Sequence, residues 1–190
     1  MKNGKTACVC FKFKRDLENE DIAGAFVINR KYSRSDVLKL LRWEKDQPPL
    51  NVGGYVISQE RQTCPIFVTY HKDEEISDSI KYEDAFVNRF EMKWYTKSNR
   101  TMDSPDVKFF HNSTESYFIP LFVKKGNDEG TEFYFIGRVR PDKDSFLEEV
   151  MPNENTSEAG HPVVSMTLKL DRPVEEELYN YLHEVPADNT

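Results

Sequence analysis

Cysteine is scarce in this 190-residue chain: Cys8, Cys10 and Cys64 are too few for a disulfide framework. Cys8-x-Cys10 can place two thiols on one side of a strand, but no second pair follows at zinc spacing, so no metal site is expected. A basic n-region followed by an apolar h-region is missing from the N-terminus, which argues against a secretory signal. No run of about 18 apolar residues exists to span a membrane as a helix. A reducing cytoplasm is therefore the expected location, and the sequons at Asn99, Asn112 and Asn155 would carry no sugar there. The four histidines (His71, His111, His161, His183) are scattered. Neither a Gly-x-Ser-x-Gly elbow nor a P-loop occurs, which removes the commonest hydrolase and NTPase chemistries. The opening Met1-Lys2-Asn3-Gly4-Lys5 reads like the start of a segment cut from a longer protein.

An excess of basic charge is also missing, since the net charge is −7. The deficit is local, however. From Asp142 to the end there are 12 acids and 3 bases, which leaves 21 acids against 23 bases in residues 1–141. A phosphate-contacting face is thus permitted on the first three quarters of the chain. Hydrophobic residues at 38% and charged residues at 31% suit one packed domain in water.

The periodicity is mainly that of strands. Thr6–Phe13 and Phe90–Thr96 alternate, the latter with Phe90, Met92 and Trp94 on one side. Ala23–Ile28, Gly53–Ile57, Pro65–Tyr70, Val107–His111, Tyr117–Val123, Glu132–Val139 and Val163–Leu170 read as further short strands, with a Gly126–Gly130 loop before Glu132. Ser33 with Asp36 makes a capping box for a helix carrying Val37, Leu38, Leu40, Leu41 and Trp43, closed by Pro48-Pro49. Val174–Leu182 reads as a terminal helix, and Asp73–Lys81 as polar and turn-like. The expected fold is α+β, mainly β: a closed or nearly closed twisted barrel with a few flanking helices. Residues 1–141 would form the barrel, 142–162 an acidic loop or linker, and 163–190 a closing strand and helix of the same domain.

The most informative stretch is Tyr82–Thr101. It holds an aromatic, two carboxylates (Glu83, Asp84), two more aromatics (Trp94, Tyr95) and then the polar Lys97-Ser98-Asn99-Arg100. A flipped nucleobase needs rings against its two π faces, worth roughly 1–3 kcal/mol per base. Cytosine, once unpaired, also needs an acceptor for its N4 amine, and a carboxylate supplies one. Lys and Arg outside such a pocket would replace counterions on the backbone.

Tyr82-Glu83-Asp84 followed by Trp94-Tyr95-Thr96 is similar to the SRA (SET- and RING-associated) family, in which a Tyr opens an acidic cluster and an aromatic followed by Thr comes twelve residues later. Tyr32–Leu38, Asn51–Tyr55, Val68–Lys72 and Leu121–Val123 resemble the C-terminal domain, long described as of unknown function, of SauUSI-type Type IV restriction enzymes. Those proteins join a phospholipase-D-type nuclease and an ATP-driven helicase-like translocase to this domain. The resemblance runs from about Ala23 to Arg140 and implies an SRA/PUA-like fold. It further implies a target-recognition module for 5-methylcytosine or 5-hydroxymethylcytosine in phage defence, working by base flipping. The fragment itself would not be an enzyme and would need no cofactor. Its partners would be double-stranded DNA carrying a modified cytosine and the helicase and nuclease domains of the parent chain.

Under that resemblance Tyr82, Asp84 and Trp94, with Glu83 and Tyr95, would form the base pocket, Asp84 being the favoured reader. Lys97, Ser98, Asn99, Arg100, His71 and Lys72 would contact the DNA backbone or groove. Gly53, Gly54, Tyr55 and Tyr70 are supporting positions, the glycines by allowing a bulge or a close approach and the tyrosines more simply as barrel packing. Arg34, Lys39, Arg42 and Lys45 share the first helix and its exit, where a solvated face is the simpler expectation. Two other functions compete. Glu91-Met92-Lys93 with Asp84 or Asp78 upstream matches the pattern of magnesium-dependent nucleases. The aromatic surface could also serve a peptide-binding barrel.

Overall fold

A computed structural model describes residues 24–43, 54–71, 84–152 and 160–184. The expected Thr6–Phe13 strand, Cys8, Cys10, Pro48-Pro49 and the Asp73–Lys81 turn lie outside the described residues. In chain order the elements are β1 Lys31–Ser33, α1 Arg34–Leu40, β2 Ile66–Thr69, β3 Ala85–Asn88, β4 Glu91–Tyr95, α2 Pro105–His111, β5 Pro120–Lys124, β6 Glu132–Pro141, β7 Leu147–Met151, β8 His161–Leu170 and α3 Glu176–His183. The architecture is α+β and mainly β, with three helices on one curled sheet.

The sheet runs β2-β5-β6-β8-β4-β3, with β1 added to β6 and β7 added to β8. All these pairs are antiparallel except β2 with β5. Its end strands β2 and β3 do not meet, so the barrel expected from the sequence is a curled half-barrel. Two long strands make the curl. β6 pairs with β1 and β5 through its first half, then with β8 through Val139–Pro141. Between these halves Leu121 faces Gly137 and Phe122 faces Phe135, so Ile136 is the extra residue of a bulge. Gly137 sits there at φ 141°, a conformation that L side chains rarely adopt.

Alternation sorts the side chains between two cores. On β2, Ile66 and Val68 face the larger core while Phe67 faces the smaller one. On β5, Leu121 and Val123 face the larger core and Phe122 the smaller. All five β5 residues are buried, which explains its continuous apolar run. The smaller core lies under α1: Val37, Leu38, Leu41 and Trp43 meet Phe26, Tyr32, Phe118, Phe133 and Phe135. The capping box is present, with Asp36 N–H donating to the Ser33 hydroxyl at 3.1 Å and Ser33 N–H to the Asp36 carboxylate at 3.2 Å.

Four segments differ from the sequence reading. Of Gly53–Ile57, the described residues form only an isolated bridge, Tyr55 with Ile66. Val107–His111 belongs to α2, a helix, because Ser104 and Pro105 start it and Asp106 sits in its first turn. The 142–162 segment is not a plain linker: it holds a 3-10 turn at Lys143–Ser145 and β7, which pairs along β8 from Leu147↔Ser165 to Met151↔His161. Ala23–Ile28 forms no strand among its described residues, although Phe26 is buried.

Candidate functional site

The β3–β4 hairpin carries the residues that the sequence singled out. Antiparallel pairing puts Ala85 opposite Lys93, so Asp84 enters beside Trp94 and Tyr95. The Asp84 carboxylate accepts the backbone N–H of Tyr95 at 3.0 Å, which fixes its orientation, and Asp84 is half-buried. Tyr82 and Glu83 lie outside the described residues.

Trp94 does not line an opening. Met92 and Trp94 point to the larger core, and the indole is 2% exposed, edge-on to Tyr55 at 5.2 Å and to Phe110 at 5.1 Å. The expectation that this ring forms a pocket wall is corrected: α2, unforeseen as a helix, supplies Phe110 as its lid. The other face of β4 carries Glu91, Lys93 and Tyr95. Lys93 Nζ lies 5.1 Å from the Tyr95 ring centroid and 3.6 Å from Glu149, and both neighbours, Tyr95 foremost, raise the lysine pKa. Tyr95, which donates its backbone N–H to Asp84, is likewise buried, at 9% exposure.

A second cluster follows β4. Asp106, on the first turn of α2, accepts the Tyr55 hydroxyl at 2.6 Å and Arg100 Nε at 2.5 Å. Burial raises its pKa, but those two hydrogen bonds outweigh burial and hold the carboxyl below its ordinary value. Burial, and then Asp106, push the Tyr55 phenol upward. Lys97 Nζ donates to the Tyr55 carbonyl at 2.7 Å and lies 4.5 Å from that ring, and desolvation lowers its pKa. Arg100 also donates to the Ser98 and Asn99 carbonyls at 3.3 Å each, closing a loop in which Asn99 has φ 60°. The Lys97 and Arg100 head groups are thus tied to Tyr55 and Asp106, while Lys97, Ser98 and Asn99 remain exposed residues. A cavity of about 400 Å³ opens beside it, lined by Ile57, Gln59, Arg100, Ser104, Pro105 and Asp106. Sequence reasoning missed Asp106; the Ser104-Pro105-Asp106 helix start was its available signal.

The remaining expected residues are dispersed. His71 Nε2 donates to the Leu182 carbonyl at 2.7 Å, tying the end of β2 to α3 rather than facing outward from the hairpin. Tyr70 shares a hydrogen with His183 Nε2 at 2.7 Å and packs against Phe86, so it serves packing. Tyr55 is a core residue at 3% exposure. Gly54 has no left-handed φ, and a Cβ there would meet only the Phe67 carbonyl at 3.9 Å, so no close approach demands glycine. Gly53 and Lys72 lie outside the described residues.

Around Asp84 the nuclease pattern does not assemble. Glu91 stands at the far end of β4 from Trp94, about 10 Å along the strand at roughly 3.4 Å per residue. The Asp84 carboxylate binds Tyr95, on the side away from Glu91, whereas Glu91 accepts from Asn88 at 3.1 Å. Lys93 is paired with Glu149. Asp78 is outside the described residues. Among the described residues no three His, Cys, Asp or Glu side chains gather as metal ligands, and no helix is long and apolar enough to cross a membrane.

No curated protein matches the sequence. The chain belongs to the family described as Domain of unknown function (DUF3427), whose model matches residues 26–182. Among solved structures, the fold is similar to that of the DNA modification-dependent restriction endonuclease AspBHI, with a TM-score of 0.51 at 13% identity. That similarity covers 87% of this chain and 47% of the endonuclease, so the chain spans less than half of the larger protein.

Proposed function

We propose that this DUF3427 domain is the DNA-recognition module of a modification-dependent restriction system, and that it holds 5-methylcytosine or 5-hydroxymethylcytosine flipped out of a duplex. The observation that carries the reading is the fold likeness to AspBHI over 87% of the chain. The placement of Asp84 supports it locally. A carboxylate has about four lone-pair directions, so the oxygen held by Tyr95 N–H is oriented rather than used up. An oriented acceptor is what the N4 amine of an unpaired cytosine needs. Tyr95, itself buried but on the opposite face of β4 from Trp94 and bonded through its N–H to that acceptor, takes the role of the second ring in place of Trp94; Tyr82 and Glu83 remain the first ring and the neighbouring acid. In this reading the fold is SRA/PUA-like, the chain performs no bond-breaking step, and helicase and nuclease domains elsewhere in a cytoplasmic parent protein act on the DNA it marks.

The test is binding to short duplexes that differ only in one cytosine: unmodified, 5-methyl or 5-hydroxymethyl. Asp84→Asn keeps an oxygen for Tyr95 N–H but loses the charge that an amine donor favours. It should cost about 1–3 kcal/mol on the modified duplex, roughly 5- to 150-fold in affinity. It should leave the unmodified duplex unchanged. Equal binding of all three duplexes by the unaltered domain rejects the recognition claim, and binding of none rejects a DNA role altogether.

A further inference from the structure

Half of the lysines and arginines among the described residues are paired with acids. Lys31, Arg89, Lys93, Arg100, Lys108, Lys125, Arg138, Arg140 and Lys169 each have a carboxylate partner within 4 Å. A cation already neutralised in this way gains little from a phosphate. Arg34 is different. It opens α1, and its guanidinium carbon lies 4.9 Å from the Phe133 centroid and 5.4 Å from that of Phe67, two rings of the smaller core. Among the described residues its buried Nε meets no acceptor and no carboxylate pairs with it, and burial displaces its pKa downward. Near the same Phe133 ring, at 5.2 Å, stands the ammonium of Lys124 from the end of β5. Lys124 is 8% exposed and spends one donor on the Gly130 carbonyl at 3.0 Å, again with no acid among the described residues. Two partly desolvated cations sharing one ring, without a counter-charge, are costly unless something outside the chain supplies it. Arg30 and Arg42, both exposed and without an acid partner among the described residues, lie just before β1 and just after α1.

We propose that Arg34 and Lys124, seated on Phe133, form a binding site for the phosphodiester backbone of the recognised duplex, with Arg30 and Arg42 extending the track along α1. The proposal rests on the DNA-recognition reading for its ligand, and it adds a backbone contact over the smaller core to the one expected of the Lys97–Arg100 loop. The guanidinium is a planar fork of donors, which suits a phosphate oxygen pair.

The experiment measures duplex affinity against salt for the unaltered domain and for Arg34→Gln, Lys124→Gln and the charge-retaining Arg34→Lys. A parallel series follows the shift of Tm on adding inorganic phosphate. Each neutralised contact should lower the slope of log K against log salt by about 0.9, which is roughly eightfold in affinity at 0.1 M salt. The loss should be equal for modified and unmodified duplexes, and Arg34→Lys should restore the slope. Unliganded melting curves identify any variant that fails to fold; its partner variant then carries the measurement. Undiminished affinity and slope in Arg34→Gln and Lys124→Gln overturn the site while leaving the recognition reading intact. Phosphate-dependent stabilisation that vanishes in Arg34→Gln, in a domain that binds no duplex, upholds the anion site and removes the recognition reading. Absence of both effects overturns the site.

Discussion

Trp94 separates the two accounts of the hairpin most sharply. Its indole is 2% exposed and sits between Tyr55 at 5.2 Å and Phe110 at 5.1 Å, both edge-on. Trp94→Ala removes a fully buried ring, which costs about 3–5 kcal/mol including the cavity left behind. It also forfeits two edge-to-face pairs, contributions of about 0.5–1.5 kcal/mol each that overlap with that cost. For a chain of 190 residues each kcal/mol moves Tm by about 2–4 °C, so a fall of about 6–20 °C is expected. Urea denaturation followed by circular dichroism gives the free energy directly, provided the slope m is unchanged. Trp94→Phe keeps an aromatic between the same neighbours and should cost only about 1–2 kcal/mol. At temperatures where that variant is fully folded, its preference for a modified duplex should equal that of the unaltered domain. A Trp94→Ala protein with an unshifted midpoint and no preference for modified DNA would refute the interior placement and restore the ring to the pocket.

Gly137→Ala forces a side chain onto a φ of 141° at the β6 bulge, and should lower the unfolding free energy by about 1–3 kcal/mol in the same urea assay. Tyr55→Phe deletes a hydrogen bond to the ionised Asp106 and should cost about 1.5–3 kcal/mol without altering the circular dichroism spectrum of the folded state. The folded pKa of Asp106 lies below the ordinary aspartate value of 3.8, so its contribution is complete above that value and is lost as pH falls through the lower folded value. Asp106→Asn should therefore flatten the acid limb of the stability profile below about pH 4 and lower the plateau above it; an unchanged limb would disconnect the Tyr55–Arg100–Asp106 cluster from stability.

Period-2 alternation located β2, β4, β5, β6 and β8 because each has a face in a core, and the Ser33–Asp36 box located α1 because both cap bonds are local. Two failures share a cause. Val107-Lys108-Phe109-Phe110 is apolar enough for a strand, and only the Ser104-Pro105 start distinguishes it. β7 is an edge strand whose Leu147 and Val150 stay exposed, so no apolar periodicity announces it; its ladder with β8 does the work. The site was legible as a segment and less so as a surface. Asp84 beside Tyr95 follows from the hairpin register, whereas the burial of Trp94 depends on Tyr55 and Phe110, 39 residues before and 16 after it in the chain. The inward use of Lys97 and Arg100 likewise depends on Tyr55 and Asp106.

Because β2 and β5 run in the same direction, the chain cannot join them by a tight turn and must travel out and back over residues 70–119. Everything argued to touch a base rides on that excursion, while its two anchorage points are hydrogen-bonded neighbours at the end of the sheet. Glu91–Tyr95 ties the excursion back to β8 and Trp94 seats it in the larger core, so only its stretches outside these anchors can change length without renegotiating the scaffold. The same arrangement slows assembly, since the β2–β5 ladder closes only after a long intervening stretch has found its place.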